Sequence, residues 1–77
     1  MGFKYSDIFR NKMGRDGITL RDMGIRLANY EKRSKPYVTG NILFYLEKTN
    51  DKWKIEDIKK WCIVLGLDFT KVMKSTC

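Results

Sequence analysis

The sequence predicts a single all-α domain of four or five helices, on three observations. Apolar residues recur at spacings of three and four along most of the chain, which is the period of amphipathic helices. Glycines and cap-forming Thr and Asp residues separate these segments. No alternating run of apolar and polar residues persists long enough to predict a strand. The 77 residues have room for one core, so residues 1–77 are predicted to form one domain.

The first helix is predicted over residues 3–14. Its apolar members are Phe3, Ile8, Phe9 and Met13. Ser6 offers an alternative, slightly later start because a serine side chain can cap a helix. Gly14 and Gly17 bracket a short connection that is expected to end the helix.

The second helix is predicted to start near Leu20 and to run at least to Leu27. Thr19 and Asp22 have the spacing of a capping box, in which each side chain binds the backbone N–H of the other residue. The segment 28–36 is polar and basic, and it ends in the only proline of the chain. Because a proline disfavours helix at the residue before it, the front of this segment is expected to extend the second helix and the back to form a loop.

The third helix is predicted over residues 38–47, with Thr39 as its N-cap. At 100° per residue, its inner face is expected to hold Val38, Ile42, Leu43 and Leu46. Its outer face is expected to hold Gly40, Asn41, Phe44 and Lys48. An amide, an aromatic ring and a lysine outside an anchored helix suit the major groove of DNA. They are also compatible with an ordinary amphipathic helix that exposes aromatic residues.

A turn over residues 49–52 leads to a fourth helix over about 54–65, and Gly66 is expected to be its C-cap. The predicted buried residues of this helix are Ile55, Ile58, Trp61, Cys62 and Leu65. Trp53 and Trp61 are predicted to be core aromatics, and Trp53 has the alternative of a partly exposed cover over the first helix. The tail, residues 70–77, is expected to add a last helical turn.

Charge is the most informative property of the whole chain. Sixteen Lys and Arg residues against nine Asp and Glu give a net charge of +7, which favours a polyanionic partner such as nucleic acid. Two cysteines and no histidine exclude the usual zinc motifs and histidine-based catalysis, so neither a metal nor a cofactor is expected. The chain lacks an apolar run of about 20 residues and an apolar leader segment, which predicts no membrane span and a cytoplasmic location.

The chain resembles the Cro/repressor-type (lambda-repressor-like) helix-turn-helix DNA-binding family over residues 8–69. Glu47 is followed by Ile55, Ile58 and Leu65-Gly66 at the separations typical of the family, and the stretch ITLRDMG resembles the opening of its second helix. Gly24 replaces a small alanine where the second and third helices of the family cross closely. The chain departs from the family pattern in about nine extra residues within 28–36.

The resemblance implies a set of DNA-contacting residues on the third helix and around it. The residues expected at base edges are Thr39, Asn41, Phe44 and Tyr45; periodicity favours Phe44 as the more outward aromatic, whereas the resemblance favours Tyr45. The residues expected at phosphates are Arg21, Lys48, Asn50, Lys52 and Lys54, together with Lys32, Arg33 and Lys35 of the extra segment. Asn41 has the alternative of a second helix cap, and each lysine that of a solvated surface charge.

Two further departures concern single positions. Gly40 lies where the family often has a glutamine, and Thr49 replaces a glycine, next to Asn50, which can adopt the left-handed conformation. The resemblance also implies that Glu47 pairs with a basic residue of the first helix, Arg10 or Lys12.

The resemblance implies a small transcriptional regulator without catalytic activity, a repressor of the phage or mobile-element type. A single module of this size is expected to bind double-stranded DNA as a homodimer on a two-fold operator. The candidate dimer residues are Leu67, Phe69, Val72 and Met73. The alternative is a protein-interaction module of the same fold, either an antitoxin or an adaptor of a larger regulator.

Overall fold

Five α-helices make up most of residues 4–75, the part of the chain that the computed structural model describes. They are α1 (Tyr5–Asp16), α2 (Leu20–Tyr30), α3 (Thr39–Leu46), α4 (Ile55–Leu65) and α5 (Phe69–Ser75), and a 3-10 turn (Asn50–Lys52) lies between α3 and α4. No strand occurs in this part, so the predicted all-α class is confirmed with five helices. None of the described helices combines the length and the apolar character that a membrane crossing requires. Phe3 and Cys77 lie outside the described residues.

Helix α1 continues past its predicted end at Gly14. Gly17, at φ 67°, is the residue that stops it, and a Lys12–Asp16 ion pair of 2.8 Å spans its last turn. The prediction was wrong at Gly14 because a glycine lowers helix stability by only about 1 kcal/mol, which is too little to end a helix by itself. The alternative start at Ser6 is wrong too, since the Ser6 side chain is buried inside the domain.

Helix α2 begins and ends as its sequence predicts. The capping box is present: the Asp22 N–H donates to Thr19 Oγ1 at 3.0 Å, and the Thr19 N–H donates to Asp22 Oδ2 at 3.1 Å. The helix extends to Tyr30, and the chain then forms a loop of eight residues, 31–38, so both parts of the prediction for the extra segment are confirmed.

The core lies where α1, α2, α3 and α4 meet, and α5 packs against α4. Its centre is an aromatic cluster in which the ring centroids of Phe9, Trp53 and Trp61 lie 5.2–5.4 Å apart. Trp53 contacts Phe9 of α1 as predicted, but it is buried and not partly exposed. Cys62 is fully buried beside them, and burial raises the pKa of its thiol to about 11.

Three residues that were predicted to be buried are exposed. Val38 is the N-cap of α3 and has extended backbone, so its side chain leaves the inner face, and Leu43 is 40% exposed. Ile55 is the first residue of α4 and also faces outward. In a helix of eight residues, Ile42 and Leu46 alone supply the buried side. Thr39 is the first helical residue and makes no cap, which corrects the predicted start by one residue.

The candidate dimer residues belong to the core of this chain. Val72 is buried, and Leu67, Phe69 and Met73 are partly buried against the core. Helix α5 therefore completes the domain with its apolar side. Gly66 ends α4 in the left-handed conformation, at φ 73°, and is the C-cap that the sequence predicted. The chain turns there toward α5.

Gly24 marks a close approach of two segments. A Cβ atom at this position would lie 2.5 Å from the backbone oxygen of Tyr37, and the Tyr37 N–H donates to the Gly24 oxygen at 3.3 Å. The approach predicted at Gly24 is therefore present, but its partner is the end of the 31–38 loop and not α3 itself. This contact fixes where the loop enters α3.

Candidate nucleic-acid interface

Helix α3 is held at its C-terminal end by side chains of α1. Ser6 Oγ donates to the carbonyl oxygen of Lys48 at 2.8 Å and lies 3.4 Å from that of Tyr45. Arg10 Nη2 donates to the carbonyl oxygen of Leu46 at 3.4 Å. The Glu47 and Lys48 N–H groups bind the Leu43, Phe44 and Tyr45 carbonyls. The last carbonyls of a helix lack a partner within it, so the two side chains of α1 add hydrogen bonds to this end of α3.

The outer face of α3 carries four exposed residues: Thr39, Gly40, Asn41 and Phe44. Phe44 is 63% exposed, and Asn41 lies about one turn before it on the same face. A Cβ atom built at Gly40 would meet nothing within 4 Å, so the helix backbone itself is open to a ligand there. The outer face that periodicity predicted is thus present for Gly40, Asn41 and Phe44.

Lys48 continues this face just after the helix ends. Its ammonium group lies 4.3 Å from the ring centroid of Tyr45 and 5.4 Å from that of Phe44, which are cation–π distances. A surface cleft of about 520 Å³ beside it is lined by Phe44, Glu47, Lys48, Thr49 and Lys52. Three of the predicted DNA-contacting residues, Phe44, Lys48 and Lys52, therefore lie around one cleft.

Tyr45 is half-buried and packs on the core, whereas the resemblance implies an outward side chain. Its ring centroid is 5.5 Å from that of Trp53 and 5.7 Å from that of Trp61, so it packs on the aromatic core. Burial raises the pKa of its phenol, with a smaller effect from the negative charge of Asp57. Periodicity was right in making Phe44 the more exposed aromatic, and the base contact of Tyr45 stays a prediction for a half-buried ring.

Asn50 has a structural role in the described fold. Its Oδ1 accepts a hydrogen bond from the Tyr5 N–H at 2.9 Å, at the start of α1. Asn50 does not adopt the left-handed conformation; outside glycine, the residue with positive φ in the described part is Lys32, at φ 59°. The Asn50 side chain thus binds the start of α1 through Oδ1. Its phosphate contact stays a prediction.

The other predicted phosphate-contacting residues are mostly exposed. Arg21 lies in the first turn of α2, Lys52 in the 3-10 turn, and Lys54 at the N-cap of α4. Residues 32–54 contain six basic and two acidic side chains, so this stretch carries much of the excess positive charge. The expected pairing of Glu47 with α1 is absent among the described residues, because Arg10 binds the Leu46 carbonyl and Lys12 binds Asp16.

The 31–38 loop is tied to the rest of the domain by Glu31. Its carboxylate accepts a hydrogen bond from the Tyr37 hydroxyl and forms a 3.0 Å ion pair with Lys60 of α4. The hydrogen bond from Tyr37, ahead of the ion pair with Lys60, lowers the pKa of Glu31. The Arg33 guanidinium carbon lies 4.1 Å above the Tyr37 ring. Lys32 and Lys35 are exposed on this braced loop.

Sequence reasoning missed the residues that position the site. Ser6 reads as a possible helix cap, and its real partners lie about 40 positions away in the chain. Tyr37 was passed over, although an aromatic directly after a proline and before a helix is a signal of a packed helix entry. Local patterns do not contain either contact, because both depend on how α1 and the loop pack on α3 and α4.

The described residues hold no group of three or more Cys, Asp or Glu side chains placed to bind a metal ion. Comparison of the chain with protein-family models, with curated proteins and with solved structures finds no match.

Proposed function

We propose that the chain is a helix-turn-helix-type module that binds duplex DNA through the outer face of α3. One observation carries this proposal. Asn41 and Phe44 lie on the exposed face of α3, and Phe44 borders one cleft together with Lys48 and Lys52. The chain as a whole has a net charge of +7. Asn side chains bind adenine through two hydrogen bonds, and lysines neutralise phosphates. The combination provides both a sequence-reading and a positioning element.

The biological role that fits such a module is that of a small transcriptional regulator, a repressor of the phage or mobile-element type. Occupancy of an operator by a homodimer on two-fold symmetric DNA would regulate transcription without any catalytic step. The α5 residues that were candidates for the dimer surface are engaged in the core, so the dimer would use another face.

The test is the dependence of duplex binding on salt. Each neutralised phosphate contributes a slope of about −0.9 in a plot of log affinity against log salt concentration, because counterions are released from the DNA. Lys52→Gln is expected to make the slope shallower by about 0.9. Lys74→Gln removes the same charge from α5 and serves as the matched control, with an unchanged slope.

Two outcomes of this titration would contradict the DNA proposal. Binding that is weak at 50 mM salt and insensitive to salt would remove the DNA proposal. Equal changes in the slope for both lysine variants would mean that the overall charge, and not the α3 cleft, attracts the DNA.

A second candidate function is a protein-interaction module, and the exposed apolar residues of α3 favour it. Val38 and Phe44 are each more than 60% exposed, and Leu43 is 40% exposed. Such residues suit a protein groove as well as a DNA groove. An adaptor or antitoxin would bind its protein partner with little dependence on salt, so the same titration separates the two candidates.

A further inference from the structure

The Phe44 side chain is exposed and is not part of the hydrophobic core. Its ring meets Tyr45 edge-on at a centroid distance of 6.3 Å and lies near the Lys48 ammonium, and 63% of the residue faces solvent. Neither contact buries it, and the core is complete without it. A large apolar group at the centre of an otherwise polar face is therefore placed to meet something apolar on a ligand.

Duplex DNA offers one apolar group in its major groove, the C5 methyl of thymine. Asn41, three residues before Phe44, is on the same face of α3. Three residues advance an α-helix by about 4.5 Å, which is close to the rise of about 3.4 Å between base pairs. An amide and a phenyl ring at this spacing suit two neighbouring A·T pairs, with the amide on an adenine and the ring on a thymine methyl.

We propose that Phe44 is a specificity-determining residue that contacts a thymine methyl next to the base pair read by Asn41. The proposal rests on the proposed function and deepens it, because it names the base that the α3 face prefers. Gly40 supports it: with no side chain at that position, the α3 backbone leaves room for the groove edge on the N-terminal side of Asn41. The preferred sites are therefore rich in A·T pairs.

The experiment uses the full chain and a duplex obtained by selection from a random library. Each thymine of that duplex is replaced in turn by deoxyuridine, which removes only the C5 methyl group. For the wild type, one position is expected to lose about threefold to fivefold in affinity, which is the effect of removing a single buried methyl. For Phe44→Ala, the same replacement is expected to have no effect.

Ile63→Ala provides the matched control, because Ile63 is a similarly exposed apolar residue on α4. This variant is expected to retain the full deoxyuridine effect. Melting temperatures of both variants verify that the fold is intact.

The outcomes separate this inference from the proposed function. Tight, salt-dependent duplex binding without any deoxyuridine effect, or with the same effect in Phe44→Ala, would overturn the inference and leave DNA binding in place. If no duplex is bound at all, the proposed function and this inference fail together.

Discussion

Helices α3 and α4 are stabilised in different ways. Helix α4 has Glu56 and Asp57 in its first turn, a left-handed glycine at its end, and four buried side chains. Helix α3 has no charged residue in its first or last turn and only two buried side chains. Neither helix has a side-chain N-cap. Acidic residues at a helix start and a glycine stop each stabilise a helix on their own account. Helix α4 therefore carries local signals that α3 lacks.

The difference shows where the stability of α3 comes from. Ser6 and Arg10 of α1 bind the carbonyl groups at its C-terminal end, and Gly24 of α2 receives the chain that leads into it. Because neighbouring helices hold α3 in place, its outer face is free of structural constraints. Substitutions on that face are therefore expected to leave the fold unchanged.

The largest expected effect contrasts the two helices directly. Trp61→Ala in α4 should lower the free energy of unfolding by about 3–5 kcal/mol, since it removes a fully buried ring from the centre of the core. Phe44→Ala in α3 should change it by less than about 0.5 kcal/mol, since the ring is exposed. Urea denaturation measures both values. A loss above about 1.5 kcal/mol for Phe44→Ala would show that this ring supports the fold and is not held for a ligand.

Ser6→Ala tests how α1 supports α3. The hydroxyl accepts from the Trp53 indole N–H at 3.2 Å and donates to the Lys48 carbonyl, so its removal leaves buried polar groups without a partner. The expected loss of stability is about 1–3 kcal/mol. Ser75→Ala, which removes an exposed hydroxyl in α5, is the control and should have little effect. Equal stabilities of the two variants would mean that α3 does not depend on Ser6.

Gly66, at the end of α4, and Gly40, at the start of α3, are expected to respond in opposite ways to replacement by alanine. Gly66→Ala forces an alanine into the left-handed region and should lower stability by about 1–2 kcal/mol. The added methyl group of Gly40→Ala meets nothing and should raise stability by up to about 1 kcal/mol. If the outer face binds DNA as proposed, the same methyl group should weaken that binding. Thermal melts and a duplex titration together measure these effects. Unchanged affinity in Gly40→Ala would show that the ligand does not approach the start of α3.

The smallest expected effect concerns the loop before α3. The pKa of Glu31 is lowered in the folded chain, so its ionised form contributes stability above the ordinary value of 4.5, and this contribution is lost as the pH falls through the lower folded value. Glu31→Gln should therefore be less stable than the wild type at neutral pH and should approach it in acid. The gap is small because the pair is near the surface. A gap that is independent of pH would exclude the carboxylate as its cause.

The sequence was sufficient to predict elements whose signals are local. Thr19 and Asp22 predicted the start of α2, Gly66 the end of α4, and the 3.6-residue period the outward direction of Phe44. Contacts between distant segments, such as the hydrogen bonds of Ser6, could not be predicted from local sequence patterns. Tyr45 is instructive because a family pattern placed it outside, whereas the local period and the adjoining tryptophans place it inside. DNA binding itself stays a prediction.

The buried thiol of Cys62 gives the domain a built-in reporter of its own opening. Thiol reagents are electrophiles that the thiolate attacks, and a thiol with a pKa near 11 and no solvent contact reacts only from molecules in which α4 has separated from the core. In a Cys77→Ser background, the labelling rate of Cys62 relative to that of a free thiol would measure how often this core opens under native conditions. A duplex that binds the closed domain would slow the labelling in proportion to its occupancy.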